Sequence, residues 1–259
     1  TISTVIGSAE FLVQSRQITD AFNWNIIESH YRILGHNSRP SRVLRLLSKV
    51  RDNSGLRSLV VIRSVCAIGA MVAFFPLPKL SAFAAFACIV CGVVLHSRLL
   101  YGLDGSDQMT NIVWAGLCAF LLTDVAWLRE IGVAFIGLQF VLAYLTSGIA
   151  KLCSSEWRTG KAIPSIVSTV EHGNLFVSRL CQLPLVGWIV CWATISFEVF
   201  GPILGFLNVK LLLFFVVSSI FFHSMIAVVM KLNLFLWSFL AALIAYMAFV
   251  LTVWSFFLA

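Results

Sequence analysis

Seven apolar runs, each about as long as a bilayer is thick, limit what this chain can fold into more than anything else in it. They lie at about 58–77, 81–102, 109–127, 131–150, 184–207, 211–230 and 233–258. A hydrocarbon core of about 30 Å takes about 20 apolar residues of helix to cross. Backbone inside that core must satisfy its own hydrogen bonds, so each run is predicted to be a helix. The expected fold is an all-α polytopic transmembrane bundle of about seven spans over residues 58–259, behind an amphipathic basic segment over residues 1–57. Only 11% of the 259 residues are charged, against about a quarter in soluble domains. So few charges cannot cover a globule in water, which excludes an ordinary cytosolic enzyme and a disordered chain. The expected place is a cell or organelle membrane, with the lipid bilayer as first partner.

The net charge of +7 invites a nucleic-acid reading, but its location argues against one. Arg16, Arg32, Arg39, Arg42, Arg45, Lys49, Arg51 and Arg57 all precede the first apolar run. A basic segment beside a span faces anionic lipid, and no stacking aromatics alternate with these charges as a nucleic-acid groove requires. No nucleic-acid partner is expected. Val43, Leu44, Leu46, Leu47 and Val50 fall at helical spacing, as in short helices lying on the membrane or on the protein itself. Most of the seven cysteines sit inside apolar runs, so they form no secreted disulfide framework. Cys88 and Cys91 read as small apolar residues on one helix face. The chain opens on Thr1 rather than Met, which leaves processing or truncation open.

The breaks between runs carry the polar chemistry. Pro76-Leu77-Pro78-Lys79 predicts a tight hairpin, Asp104-Gly105-Ser106-Asp107-Gln108 interrupts the chain after the second run, and the longest connection runs from Lys151 to Leu183. Most Lys and Arg residues fall on the face shared by the N-terminal segment, the Asp104–Gln108 break, the 151–183 connection and Lys231. The positive-inside tendency places that face in the cytoplasm.

Ionisable groups within spans are costly and mark function by default. Arg63, Lys151, Glu198 and His223 are the four that stand out. Each also has an ordinary role. Arg63 is expected to snorkel; Lys151 can anchor a helix end, Glu198 can bond across helices, and His223 can be a satisfied core histidine. Together an amine, a carboxyl and an imidazole in one small bundle point to a polar cavity. Ser147 and Lys151, four apart, share a helix face, and Gly148 between them lets another helix or a ligand approach. No metal site is expected.

Three blocks carry a family resemblance. The first is Leu95-His96-Ser97-Arg98 with Leu103-Asp104-Gly105-Ser106-Asp107-Gln108. The second runs from Ser147-Gly148-Ile149-Ala150-Lys151-Leu152 through Glu156-Trp157 to Gly160. The third is Phe222-His223-Ser224-Met225-Ile226-Ala227, with Phe235 beyond and Glu198 in the preceding span. They resemble the span-end and Gly-Asp loop, the "AG-x-x-K-L … W-x-x-G" block and the His-bearing helix of the HTTM (horizontally transferred transmembrane) family, relatives of vitamin K-dependent gamma-glutamyl carboxylase. The resemblance covers roughly residues 58–250, and in its Asp104–Gln108 loop the chain is similar to the small bacterial branch that matures a sporulation-delaying peptide.

The resemblance implies a catalytic set of Lys151, His223 and Glu198. Lys151 would be the base toward vitamin K hydroquinone or another quinol, the implied cofactor, and the other two would line its cavity. It further implies substrate or cofactor contacts at Asp104, Asp107, Gln108, Asn111, Trp157 and Gly160. A further histidine of the carboxylase falls near Met109 or Asn111, where this chain has no imidazole. It also implies a lumenal or extracellular lysine face, opposite to the charge count. The expected function is modification or maturation of a peptide or lipid-soluble substrate at the membrane. The rival expectation is a non-catalytic structural or accessory subunit of a larger membrane complex. A transporter is disfavoured by the lack of repeated halves and paired broken helices.

Overall fold

A computed structural model describes residues 1–14, 53–96, 105–169 and 173–258. Most of the basic N-terminal segment, residues 15–52, lies outside the described residues, as does Asp104. The described residues form helices and no strand: α1 (Ile2–Gln14), α2 (Asn53–Ala73), α3 (Pro78–His96), α4 (Gly105–Leu122), α5 (Ala126–Cys153), α6 (Ser155–Arg158), α7 (Ala162–Val167), α8 (Leu175–Cys181), α9 (Pro184–Leu204), α10 (Val209–Met230) and α11 (Asn233–Leu258). Each of the seven apolar runs is a helix. Five of them, α3, α5, α9, α10 and α11, are long and apolar enough to cross a membrane. The chain is an all-α, multi-pass membrane-helix protein. The other two runs, α2 and α4, carry Arg57 and Arg63, and Asp107 and Gln108.

Two compact units divide the chain, Thr1–Arg129 and Glu130–Ala259. In the first, α2 and α3 meet through small side chains, with Ala67, Ala70, Ala82, Ala85 and Cys88 almost fully buried. Small residues let helices close on one another where water supplies no driving force. The Pro76–Lys79 hairpin forms as expected: Leu77 N donates to Ala73 O at 2.9 Å, and Pro78 opens α3. Gly105–Gln108, expected as part of a break, is instead the first turn of α4, where Asp107 complements the helix N-terminus. After α4, Arg129 donates to Thr123 O and pairs with Asp124 at 3.0 Å while lying over Phe120, which fixes the link into α5.

Helix α1 turns its polar face inward. Thr4 and Ser8, a turn apart, are buried, whereas Ile2 is exposed. Trp114 Nε1 of α4 donates to Thr4 Oγ1 at 2.9 Å, and Ser3 and Thr110 share a hydrogen bond. Replacing Thr4 with valine keeps the shape but leaves the indole N–H buried without an acceptor. We expect a cost of about 1–3 kcal/mol, read as a lowered melting temperature in detergent; an unchanged value would rule this bond out as a support of α1. Arg63 does not snorkel. It is 5% exposed, feels the charge of Asp107, and its Nε has no hydrogen-bond partner.

The second unit is built on aromatic rings. Phe140 and Tyr144 of α5, Phe215 of α10, and Phe239 and Tyr246 of α11 lie with ring centroids between 4.8 and 6.2 Å of their neighbours. Edge and tilted pairs of this kind add to the area they bury. The long connection folds into α6, α7 and α8, and a two-residue link with Lys231 in the left-handed region joins α10 to α11.

Candidate functional site

Helix α5 presents Tyr144, Ser147 and Lys151 along one stripe, at spacings of three and four residues. Gly148 lies beside that stripe and brings α9 close. A Cβ there would stand 2.7 Å from Val199 Cγ2 and 3.0 Å from both Glu198 Cβ and Val199 N. This approach sets Glu198 opposite Lys151. The ammonium reaches Glu198 Oε2 at 2.7 Å and Oε1 at 2.9 Å, and also donates to Ser147 Oγ. Side-chain exposures of 19% for Lys151 and 8% for Glu198 make this a largely buried pair. Its three acceptors match the three ammonium hydrogens, and the Trp157 ring lies 5.1 Å from Nζ in cation–π range.

Proline 202, four residues beyond Glu198 in the same helix, has no N–H to return to the Glu198 carbonyl. Tyr246 OH donates to Pro202 O at 2.7 Å and holds α9 to α11 at that point.

His223 of α10 is 4% exposed. Its Nε2 lies 2.9 Å from Tyr144 OH, which is itself 2.8 Å from Ser219 Oγ. The imidazole stacks on Phe239 at 4.4 Å and 24°. Its Nδ1 has no hydrogen-bond partner. Tyr144 and Lys151 are seven residues apart, so the roots of the two poles stand about 10 Å apart along α5. Between them is a cavity of about 270 Å³ whose wall is mostly apolar, lined by Lys151, Glu198, Trp157 and His223 together with Phe222, Ile226 and Phe235 among others.

No protein-family model, curated protein or solved structure matches the chain. The chemistry of the site therefore rests on its own geometry.

Four of the residues singled out in the sequence, Lys151, Glu198, His223 and Trp157, line one cavity. Gly160 does not line it. With φ of +79° it holds a conformation natural to glycine, and a Cβ would strike the Trp188 backbone at 2.6 Å. Arg158 donates to the carbonyls of Leu152 and Cys153 at the end of α5, and its own carbonyl accepts from Trp192 Nε1. Trp157 is thus tied over Lys151. Asp107, Gln108 and Asn111 are on α4 in the first unit, with Asn111 against Gly92; the residues lining the cavity all belong to the second unit. Sequence reasoning missed the contributions of Tyr144 and Ser219. The only signal for them was a serine four residues before His223 and a tyrosine seven before Lys151.

Proposed function

We propose that this chain is an HTTM-like, gamma-carboxylase-related membrane protein that modifies or matures a peptide or lipid-soluble substrate, with Lys151 as its base. The observation that carries the reading is the Lys151–Glu198–Ser147 cluster at one pole of an apolar cavity whose other pole is His223. An amine paired with a carboxylate holds its proton. Transfer of that proton from Nζ to Glu198 Oε2, across 2.7 Å, leaves an amine whose lone pair meets the new carboxylic O–H, and turning that acid aside frees the lone pair for a substrate. In that form Lys151 accepts a proton from a substrate O–H or N–H. General bases of this kind contribute about 10²–10⁴-fold to rate. A quinol is the cofactor the family resemblance implies. The mixed wall fits a group with an apolar body and an acidic hydroxyl, which would lie with that hydroxyl toward Lys151.

The test is mass spectrometry of a co-expressed candidate peptide, and of the lipid extract, from cells carrying wild-type protein or Lys151→Met. A mass shift present with wild type and lost in folded Lys151→Met supports the base. If the shift or phenotype persists in Lys151→Met, the accessory-subunit reading replaces it.

A further inference from the structure

The connection between α5 and α9 turns apolar side chains outward where no span requires it. In α8, Phe176 is 71% exposed and Leu180 44%, and Leu183 just beyond the helix is 56% exposed, while the small Ser178 and Cys181 are buried. A helix packed on a protein in water does the reverse. Arg179 is exposed in the same stripe as Phe176 and Leu180, and α8 holds no acidic residue.

The depth of α8 follows from α9. The 21 residues of α9 rise about 31 Å, which matches a hydrocarbon core of about 30 Å. Its first turn therefore lies at the edge of the hydrocarbon. Gly187 ends that turn, and a Cβ there would stand 2.9 Å from Cys181 O of α8 and from Pro164 Cγ of α7. At its other end α8 is bound to α7, where Asn174 N donates to Val167 O at 3.2 Å. A helix of seven residues is only about 10 Å long, so α8 stays within reach of the headgroup layer throughout. Trp188, half exposed, and Trp192 belong to the same end of α9, and Trp192 Nε1 donates to Arg158 O. Tryptophan is enriched at membrane–water boundaries.

We infer that α8 and Leu183 form a membrane-surface element whose partner is phospholipid: Phe176, Leu180 and Leu183 sit among the acyl chains of one leaflet, and Arg179 reaches the phosphates. Amphipathic helices of this kind bury their apolar face about 5–10 Å into the boundary. An arginine stem lies along apolar surface while its guanidinium meets phosphate. A docking face for a soluble protein would have to stand clear of the headgroups, and the contact with Gly187 holds α8 at their level. Helix α7, whose Ile163 and Ile166 line the cavity, packs against that same glycine through Pro164, so the cavity wall that α7 supplies lies at the same depth. The inference goes beyond the proposed function and uses no chemistry at Lys151.

Photo-cross-linking in native membranes tests it. The photoreactive p-benzoylphenylalanine replaces Phe176 in the full chain, or Leu180 in a second protein that covers a failure of the first to fold. The membranes are irradiated, and the purified chain is weighed intact. At both positions the cross-linked chain is expected to gain the mass of one phospholipid, with the new bond on an acyl chain rather than on the headgroup. Arg179→Glu sets a carboxylate against the phosphates and should lower the yield of that lipid adduct at position 176, whereas Arg179→Lys should retain it. An adduct to another protein would overturn the inference and give this face to a partner subunit. A folded chain with no adduct at either position would overturn it too, since the face would then meet water. A yield unchanged by Arg179→Glu would overturn the phosphate contact. Lys151 takes no part in these readings, so this inference and the base assignment fail separately.

Discussion

Replacing Glu198 with leucine is expected to cost about 3 kcal/mol of stability, a fall in melting temperature on the order of 10 °C in detergent. The cause is what remains rather than what is removed. Lys151 would keep Ser147 and the Trp157 face but lose both carboxylate contacts, at 2.7 and 2.9 Å, while four-fifths buried. An uncompensated ammonium in an apolar wall is among the most costly defects a single substitution makes. The low end of the usual range applies because Lys151 lies in the last turn of α5, from which its stem can extend toward the membrane surface. Lys151→Met in the same chain should recover most of the loss, since two apolar side chains replace a closed pair. Glu198→Gln, which retains an acceptor, should fall between. Glu198→Leu melting with wild type, or Lys151→Met failing to relieve it, would mean that the two groups do not interact energetically.

The spans were legible because a helix that must cross lipid leaves a run of fixed length, and nothing in the fold can disguise it. The chemistry was legible one residue at a time for a related reason: among so few charges, Lys151 and Glu198 stand out in apolar surroundings. Their pairing was not legible. It joins residues 47 apart and exists only because α5 and α9 cross at Gly148. The sequence displays that glycine but not the helix that fills the space beside it. Hydroxyls in apolar runs are harder still, since most close on their own helix. Thr146, Thr194 and Thr252 donate to carbonyls four residues back, whereas Ser219 turns outward to Tyr144. No residue type or spacing separates the two cases. Arg63 was misread for a similar reason. Snorkelling is the habit of a lone arginine in a span, but α1 brings a polar face, Thr4 and Ser8, into the first unit, and the bundle that receives Arg63 is accordingly not purely apolar.

The second large effect is expected at that crossing. Gly148→Val should destabilise the second unit by about 2–3 kcal/mol and abolish any product that depends on Lys151. Part of the obstruction can yield: Val199 Cγ2, 2.7 Å from the added Cβ, belongs to a side chain that can rotate. Val199 N, at 3.0 Å, belongs to the α9 backbone and cannot move without the helix. Displacing α9 carries Glu198 with it, and contacts of 2.7–2.9 Å to Nζ do not survive a shift of about an ångström. Gly148→Ala should therefore be milder but still harmful, and adding Val199→Ala should restore only the part owed to the side chain. Gly69 supplies the control. It too lies within a helix, but a Cβ there meets nothing within 4 Å, so Gly69→Ala should gain about 0.5–1 kcal/mol from helix propensity alone. Thermal unfolding of the four variants in one detergent separates the two effects. A Gly148→Ala protein that gains stability as Gly69→Ala does would mean that α5 and α9 do not approach closely enough at this crossing to hold the Lys151–Glu198 pair.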